Sequence, residues 1–201
     1  MPDHTSSEKA PLAVVGSGVT GGATLIDAIL EEWYETPDEE LPIRVVMLDS
    51  RDHPSPPRDT RYPLDGHDAR DLHPFPGNTP LEGFPTFGQF VDEMADEAPI
   101  LRSALPAPTY GQVNEYLVYL LKLMLVASEN GIQVQFVDTP IESIQEPVRG
   151  GPATITLSDG KSIAVRRIVR GARPPFMGGP PLDEPAERAG GAGSEATQPP
   201  A

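Results

Sequence analysis

The beginning of the chain carries apolar positions in a pattern that predicts a strand, a helix and a second strand. Residues 11–15 form a short apolar run of the kind found in buried strands. Residues 43–49 are a second, β-branched run that finishes on an acid, Asp49. Between the two runs, apolar side chains recur three or four residues apart, as in a helix with one buried face: Val19, Ala23, Ile26, Ile29, Leu30 and Trp33. This order predicts a β-α-β unit.

Two more helices and another strand are predicted in the middle of the chain. Residues 86–97 predict a short acidic helix with Thr86 as its N-cap. Residues 110–130 predict a longer helix that ends at Gly131. Its positions between 116 and 127 are apolar nearly all round, so we expect this helix to be buried against the sheet. Residues 132–136 alternate apolar and polar side chains, as a half-buried strand does.

A β-hairpin and a last strand are predicted toward the end of the chain. Residues 154–157 and 163–165 are strand-like runs joined by a turn that contains the Asp159-Gly160 step. A last strand over residues 166–169 leads into Gly171. The complete pattern predicts an α/β, Rossmann-like fold with a central parallel sheet and an added β-hairpin or meander.

Composition divides the chain into one domain and its flanks. Residues 1–10 are a polar lead that we expect to be disordered, and residues 11–173 are predicted to form a single domain. Residues 50–85 form a long proline-rich loop, a type of segment that is usually functional or disordered. Residues 174–201 are dominated by Pro, Gly, Ala, Ser and Glu, which predicts a disordered tail.

Charge and cysteine content exclude several classes of function. The net charge of −15 argues against binding to nucleic acid or to an anionic membrane. The chain has no cysteine, which excludes disulfides, thiolate metal sites and a cysteine nucleophile. Its amino terminus does not resemble a signal peptide, and its longest apolar stretch is too short to span a bilayer. We therefore expect a soluble, cytoplasmic protein.

The strongest candidate for chemistry is the glycine-rich turn after the first strand. It consists of Gly16, Ser17, Gly18, Val19, Thr20 and Gly21. In a G-x-G-x-x-G turn the first glycine makes the turn, the second admits a pyrophosphate and the third lets helix and strand pack closely. The free N–H groups and the dipole of the helix then face the anion. Asp49, at the end of the second strand, is placed to accept a hydrogen bond from a ribose 2′-hydroxyl. The alternative is a glycine-rich turn that binds no ligand.

Other candidate residues have simpler interpretations. Four residues of the long loop are potential metal ligands, but their spacing fits no common zinc pattern and we predict no metal site: His67, Asp68, Asp71 and His73. Glu31 and Glu32 are interpreted as solvated charge, and Trp33 as a core residue because of its helical spacing. The helical positions of three tyrosines favour packing over redox chemistry: Tyr110, Tyr116 and Tyr119.

Residues 14–22 resemble the amino-terminal fingerprint of two-dinucleotide-binding flavoproteins, in particular bacterial FAD/NAD(P)-binding proteins related to the flavin N-hydroxylating monooxygenases. The resemblance covers roughly residues 11–175, and only the glycine fingerprint is specific by itself. Later segments are similar in the same order: Asp49, Arg61-Tyr62-Pro63, Asn78-Thr79-Pro80, Phe87-Gly88-Gln89-Phe90, Tyr110-Gly111 and Thr156-Leu157-Ser158-Asp159-Gly160-Lys161.

The resemblance implies that the glycine turn binds FAD. It implies that Gly16, Gly18 and Gly21 contact or admit the pyrophosphate. The backbone N–H groups of Ser17, Val19 and Thr20 would be donors, Asp49 would bind the adenosine ribose, and Gly171 would pass close to the cofactor. The long loop would lie along the flavin side. No catalytic residue is implied.

The chain also departs from the family pattern. Arg170 stands before Gly171 where the family has an Ala-Thr step, and the strand is about two residues short. The second glycine motif, the NAD(P) domain and a later strand are absent, so a truncated chain or a shifted reading frame after Gly171 is expected. The prediction is a FAD-binding oxidoreductase-like protein that is a fragment or depends on a protein partner for its missing half. A non-catalytic dinucleotide- or ADP-binding module is the alternative, and an NAD-binding protein using the same turn is a third possibility.

Overall fold

The fold is described from a computed structural model, over residues 10–37, 40–49, 56–64, 66–75, 82–94, 96, 105, 107–146 and 151–171. The predicted disordered tail over residues 174–201 lies outside these ranges, as does the lead except for residue 10. The helices are α1 (Gly18–Glu35), α2 (Phe87–Met94) and α3 (Tyr110–Ala127). The strands are β1 (Leu12–Val15), β2 (Ile43–Leu48), β3 (Ile132–Val137), β4 (Ile141–Gln145), β5 (Ala153–Leu157), β6 (Ser162–Val165) and β7 (Arg167–Arg170).

Four strands form a parallel sheet in the order β3-β2-β1-β7. β1 pairs with β2 from Leu12 opposite Val45 to Val15 opposite Leu48, and β2 pairs with β3 over its whole length. On the other side, β1 pairs with β7 along all four of its residues. This arrangement confirms the predicted α/β fold with a central parallel sheet. The carboxyl ends of β1, β2, β3 and β7 therefore meet at one edge.

The added β structure is a three-stranded antiparallel sheet in the order β4-β5-β6. The predicted hairpin corresponds to β5 and β6, and Gly160 in its turn has a φ of 84°. Strand β4 was not predicted from the sequence. Its pairing with β5 shifts register between Ile141 and Ser143, so its side chains do not alternate regularly.

The two faces of the parallel sheet are covered by different layers. Side chains such as Leu12 and Val14 point toward the helices and pack with Ile26, Ile29 and Leu120. The alternating side chains of the same strands pack with the antiparallel sheet in a smaller core: Ala13, Val15, Val46 and Leu48 meet Ala153, Ile155, Leu157 and Val165. The parallel strands are thus buried on both faces, which explains their nearly continuous apolar runs.

Helix α3 differs from its prediction in its end and in its exposure. It ends at Ala127, and the following turn places Glu129 and Asn130 at positive φ, so Gly131 is not its cap. Its buried side chains lie on one face, whereas Val118 is 44% exposed and Val126 78% exposed. The expected burial of this helix is therefore limited to one face, although its sequence is apolar nearly all round. Its start is well defined, because Thr109 and Gln112 form a reciprocal capping box.

The described parts of the predicted 50–85 loop pack on the helical core. Tyr62, Leu72 and Phe75 are buried there, and a 3-10 turn spans Ala69–Asp71. Residues 50–55, 65 and 76–81 of this segment lie outside the described ranges. The predicted N-cap of α2 is observed, because the Thr86 hydroxyl accepts a hydrogen bond from the Gln89 N–H at 3.4 Å.

Candidate functional site: the carboxyl edge of the parallel sheet

The glycine turn connects β1 to α1 at the carboxyl edge of the parallel sheet. Ser17 is the N-cap of α1 with extended backbone, and Gly18 has a φ of 54°, in the left-handed region that favours glycine. The first intrahelical hydrogen bond runs from the Gly21 N–H to the Ser17 carbonyl at 3.0 Å. The first N–H groups of an α-helix have no hydrogen-bond acceptor within the helix. The backbone N–H groups of Val19 and Thr20 are therefore presented at the amino end of α1.

Gly16 and Gly21 are in direct backbone contact. A Cβ on Gly21 would lie 2.7 Å from the carbonyl carbon of Gly16 and 2.8 Å from the Cε of Met47. A Cβ on Gly16 would lie 2.9 Å from the Cα of Gly21. No side chain fits at either position, so the close approach of helix and strand depends on both glycines.

Gly171 closes the same edge from the end of β7. Its N–H donates to the Val15 carbonyl at 3.0 Å, which extends the pairing of β7 with β1. A Cβ there would lie 3.1 Å from the Thr24 Oγ1 and 3.2 Å from the Thr20 Cγ2. The last described strand, β7, begins and ends one residue later than predicted. All four of its residues pair with the four residues of β1, so the two strands have the same length. Arg170 lies at this edge with its guanidinium 3.7 Å from the Glu146 carboxylate.

A cavity of about 260 Å³ opens at the carboxyl ends of β1, β2 and β3. Gly16, Ser17 and Gly18 line one side of it. Asp49 follows the last residue of β2 and lines it as well, with its residue exposed. The structure therefore brings the predicted glycine turn and the predicted acid to one cavity. Val19, Thr20, Gly21 and Gly171 lie beside it but are not among its lining residues.

The far wall of this cavity was missed by the sequence analysis. It is formed by α3 and by the end of β3: Asn114, Leu117, Val118, Leu121, Phe136, Val137 and Asp138. Asp138 follows β3 as Asp49 follows β2, and this repeated position was a usable signal, because parallel strands end at one edge. The α3 residues gave no local signal, because their place depends on how α3 packs on α1. Close packing there is visible at Gly22, where a Cβ would lie 3.2 Å from the Leu117 Cδ1.

Glu32, at the carboxyl end of α1, is buried, so its interpretation as solvated charge is wrong. Glu32 is 5% exposed, and both of its carboxylate oxygens accept hydrogen bonds from the Arg166 guanidinium, at 2.8 and 2.6 Å. The Arg166 Nε also donates to the Ala10 carbonyl at 3.1 Å. Glu31 is half-exposed and pairs with Arg167 at 2.7 Å. Burial of the Glu32 carboxylate is possible because a bidentate guanidinium compensates its charge.

Trp33 is 38% exposed, so its interpretation as a core residue is also wrong. One edge of its ring packs on Gly131, where a Cβ would lie 2.8 Å from the Trp33 Cζ3. The absence of a side chain at Gly131 thus makes room for the indole, rather than capping α3. The other predicted aromatic packing is observed. Tyr116 is fully buried and its hydroxyl donates to the Pro85 carbonyl at 2.7 Å, while burial raises the pKa of this phenol.

The potential metal ligands of the long loop have local structural contacts. The Asp68 carboxylate accepts from the Arg70 N–H at 2.9 Å, and the His73 Nδ1 accepts from the Phe75 N–H at 3.3 Å. Over the described ranges, no group of three or more His, Asp or Glu side chains is placed to hold a metal ion. Within the same ranges, no helix is both long and apolar enough to cross a membrane.

A protein-family model described as FAD-NAD(P)-binding matches residues 13–170 of the chain. The match begins inside β1 and ends with the last residue of β7, so it includes the glycine turn, both sheets and α1–α3. No curated protein sequence matches the chain.

Several solved enzyme structures are similar to the chain at low identity. A flavin monooxygenase from Stenotrophomonas maltophilia is 12% identical, with a TM-score of 0.41, and the match covers 81% of this chain and 38% of that one. A cyclohexanone monooxygenase in an open form is 13% identical, with a TM-score of 0.45, covering 82% of this chain and 27% of that one. A tetracycline destructase is 11% identical, with a TM-score of 0.41, covering 82% and 38%. The chain thus spans between a quarter and two fifths of the length of these structures.

Proposed function

Because the chain belongs to the FAD-NAD(P)-binding family, we propose that it binds FAD at the carboxyl edge of its parallel sheet. In this proposal the chain is the FAD-binding part of an oxidoreductase, and the remaining parts come from a protein partner or from a longer polypeptide. The observation that supports it best is the convergence of the glycine turn and Asp49 on one cavity.

The pyrophosphate of the cofactor would lie against the amino end of α1. The mutual contact of Gly16 and Gly21 leaves backbone, and no side chain, between β1 and the helix. The N–H groups of Ser17, Val19 and Thr20 would donate to the phosphate oxygens, aided by the positive end of the helix dipole. Neither Lys nor Arg lines the described part of the cavity, so backbone donors carry this interaction.

The adenosine half would extend from the turn across β2 to β3. The Asp49 carboxylate would accept hydrogen bonds from the ribose hydroxyls, since it follows the strand next to β1. Beyond it, the apolar side chains of Leu117, Val118 and Phe136 would contact the purine, with Asn114 and Asp138 supplying polar groups at its edge. The carboxylates of Asp49 and Asp138 would also disfavour a 2′-phosphate, and so NADP.

The flavin ring, when bound, supplies the redox chemistry, and this chain supplies binding and orientation. Gly171 would let the end of β7 pass close to the cofactor, because it packs on Thr20 and Thr24 without a side chain. Arg170, before Gly171, is exposed and lies 3.7 Å from the Glu146 carboxylate, and it is not among the residues that line the cavity.

A non-catalytic ADP- or dinucleotide-binding module is the second candidate. It is favoured by the extent of the described cavity, whose lining consists of the turn, Asp49, α1, α3 and the ends of β2 and β3. These elements account for a pyrophosphate, a ribose and a purine. NAD binding through the same turn is the third reading.

The visible spectrum of the purified chain tests the proposal directly. Bound flavin gives absorption bands at about 370 and about 450 nm. If the protein is colourless, it is titrated calorimetrically with FAD, NAD, NADP and ADP. FAD binding at least about tenfold tighter than ADP supports a flavin site, since that ratio is the contribution of the flavin half. Equal affinities for FAD and ADP favour the ADP-binding module, and no binding of any of the four contradicts both.

Variants separate the ribose contact from a general charge effect. Asp49→Asn is expected to weaken FAD and ADP binding about tenfold, because a charged hydrogen-bond acceptor is lost. Asp92→Asn, an exposed carboxylate on α2 that pairs with Arg70, is the matched control and is expected to leave binding unchanged. If the two substitutions have equal effects, Asp49 is not the ribose ligand.

A further inference from the structure

A second cavity, of about 480 Å³, lies at the carboxyl end of α1. Its walls come from the last turns of α1 and α3, from the first residue of β3 and from the segment before α2. With a rise of 1.5 Å per residue, Trp33 in this cavity is about 22 Å from Gly18 along the helix axis. The two cavities have no lining residue in common. The second cavity is therefore separate from the proposed dinucleotide site.

The lining of this cavity combines aromatic rings with one carboxylate. Trp33, Tyr34 and Phe84 all line it, together with apolar residues such as Met124. Glu82 is the one charged residue among the described lining residues, and it is exposed. Aromatic faces carry negative charge density, so the rings and the carboxylate favour the same kind of ligand.

Two of the rings are held in place by contacts outside the cavity. The Trp33 indole packs on the backbone of Gly131, as described above. The Phe84 ring packs edge-to-face on Phe75, with 5.9 Å between the ring centroids, and Phe75 itself is 5% exposed. A ligand in this cavity would therefore meet rings that are already positioned, which lowers the entropic cost of binding.

We propose that this cavity binds an organic cation with apolar substituents, such as a quaternary ammonium group. The alkyl groups would contact Leu30, Met124 and the rings, while the positive charge would lie near the aromatic faces and the Glu82 carboxylate. The volume is sufficient for a small ligand of this kind, since ligand pockets start at about 300 Å³. The net charge of −15 favours a cation and disfavours an anion at this site. The proposal is independent of the proposed dinucleotide function.

The fluorescence of Trp33 reports directly on this cavity, because it is the single tryptophan of the chain. The full chain is titrated with choline and, separately, with 3,3-dimethylbutan-1-ol, which replaces the ammonium by a neutral carbon of the same shape. Both titrations are repeated by calorimetry. We expect saturable choline binding, with an affinity about tenfold higher than that of the neutral alcohol. If the neutral alcohol binds as tightly as choline, the site is simply hydrophobic and the proposal is overturned. The proposal is also overturned if neither method detects saturable choline binding.

Two substitutions test whether the Glu82 carboxylate contributes to choline binding. Glu82→Gln is expected to weaken choline binding several-fold and to leave the binding of the neutral alcohol unchanged. Glu146→Gln removes the same charge from an exposed residue that pairs with Arg170, and it should change neither affinity. Equal weakening by both substitutions would attribute choline binding to the overall charge of the protein and overturn the site. Because the dinucleotide titrations concern the other cavity, their outcome does not decide this one.

Discussion

The amino end and the carboxyl end of α1 are attached to the parallel sheet by different interactions. At the amino end, Gly16 and Gly21 bring the backbones of strand and helix together, with no charged side chain in the first turn. At the carboxyl end, Glu31 pairs with Arg167, the first residue of β7, and Glu32 pairs with Arg166 just before it. The last turn of α1 contains no basic residue of its own, so both glutamates depend on arginines that are distant in sequence.

This difference shows why the amino end of α1 offers hydrogen-bond donors to an anion and the carboxyl end does not. Backbone contact leaves the N–H groups at the start of α1 available to an anion. At the other end the buried charge is already matched, since Glu32 is 5% exposed and accepts both of its close hydrogen bonds from one guanidinium. The second cavity is lined by Leu30, Trp33 and Tyr34 of the same helix end, and neither Glu31 nor Glu32 is among its lining residues.

The largest effect is expected from a side chain at the amino end. Gly21→Val places a Cβ 2.7 Å from the Gly16 backbone, which a rigid turn cannot accommodate. We expect a loss of about 4 kcal/mol in the free energy of unfolding and loss of dinucleotide binding. Urea denaturation and calorimetry measure the two effects. Gly22→Ala is the comparison, because its Cβ would lie 3.2 Å from the Leu117 Cδ1 and 3.5 Å from the Leu117 Cβ, with no backbone atom among its nearest contacts, so it should cost much less stability.

Breaking the buried pair at the carboxyl end comes next. Arg166→Met leaves the Glu32 carboxylate buried without its partner, which is expected to cost about 3 kcal/mol of unfolding free energy. The double variant Arg166→Met with Glu32→Leu should recover most of this loss, since no charge is then buried. Arg167→Met removes a more exposed pair and should cost less than about 1 kcal/mol. Equal losses for Arg166→Met and Arg167→Met would mean that burial does not distinguish the two pairs.

Alkaline unfolding tests the buried Tyr116 of α3, whose ring packs on Phe87 and Phe90 of α2. The folded state raises the pKa of the buried Tyr116, so its contribution to stability is complete below pH 10 and is lost as the pH rises above it, because the unfolded chain ionises first. Loss of unfolding free energy is expected to approach about 1.4 kcal/mol per pH unit from this group. Tyr116→Phe should remove most of this dependence and cost about 1 kcal/mol at neutral pH through the hydrogen bond to Pro85. A remainder is expected from Tyr119, because its hydrogen bond to Glu93 also raises the pKa of that phenol.

Denaturant unfolding of the unsubstituted chain and of Tyr116→Phe is measured at steps between neutral pH and pH 11. If Tyr116→Phe keeps the alkaline loss, another group is responsible for it.

The smallest effect is expected at Asp27, on the acidic side of α1. Asp27 is an exposed residue, but partial desolvation and the neighbouring Glu31 raise the pKa of its carboxyl, with Arg167 acting in the opposite direction. The ionised group therefore costs stability above its folded pKa, and the cost disappears as the pH falls below 3.8. Asp27→Asn should raise the unfolding free energy at pH 7 by less than about 1 kcal/mol, and the gain should vanish in acid. Thermal unfolding at both pH values measures this, and a gain that persists in acid would contradict the assignment.

Local patterns predicted the amino end of α1 because its interactions involve neighbours in sequence. The strand, turn and helix that contain Gly16 and Gly21 are contiguous, and Asp49 follows directly from the next strand. The partner of Glu32 is 134 residues away, so no helical or strand period could reveal that this carboxylate is buried. Strand β4 was missed for another reason, since the register shift near Ser143 breaks its alternation. The exposure of Trp33 depends on Gly131 and on α3, which helical spacing alone does not report.

The position of β7 has a consequence for how the protein folds during synthesis. This strand pairs with β1 although the two lie near opposite ends of the described chain, and Arg166 immediately before it neutralises Glu32. Until the ribosome has released residue 171, β1 lacks one neighbour and α1 retains an uncompensated acid at its end. Such non-local pairing is slow to form and leaves apolar strands accessible to aggregation in the meantime. Until β7 is made, the nascent chain therefore exposes an edge of β1 that the folded protein covers.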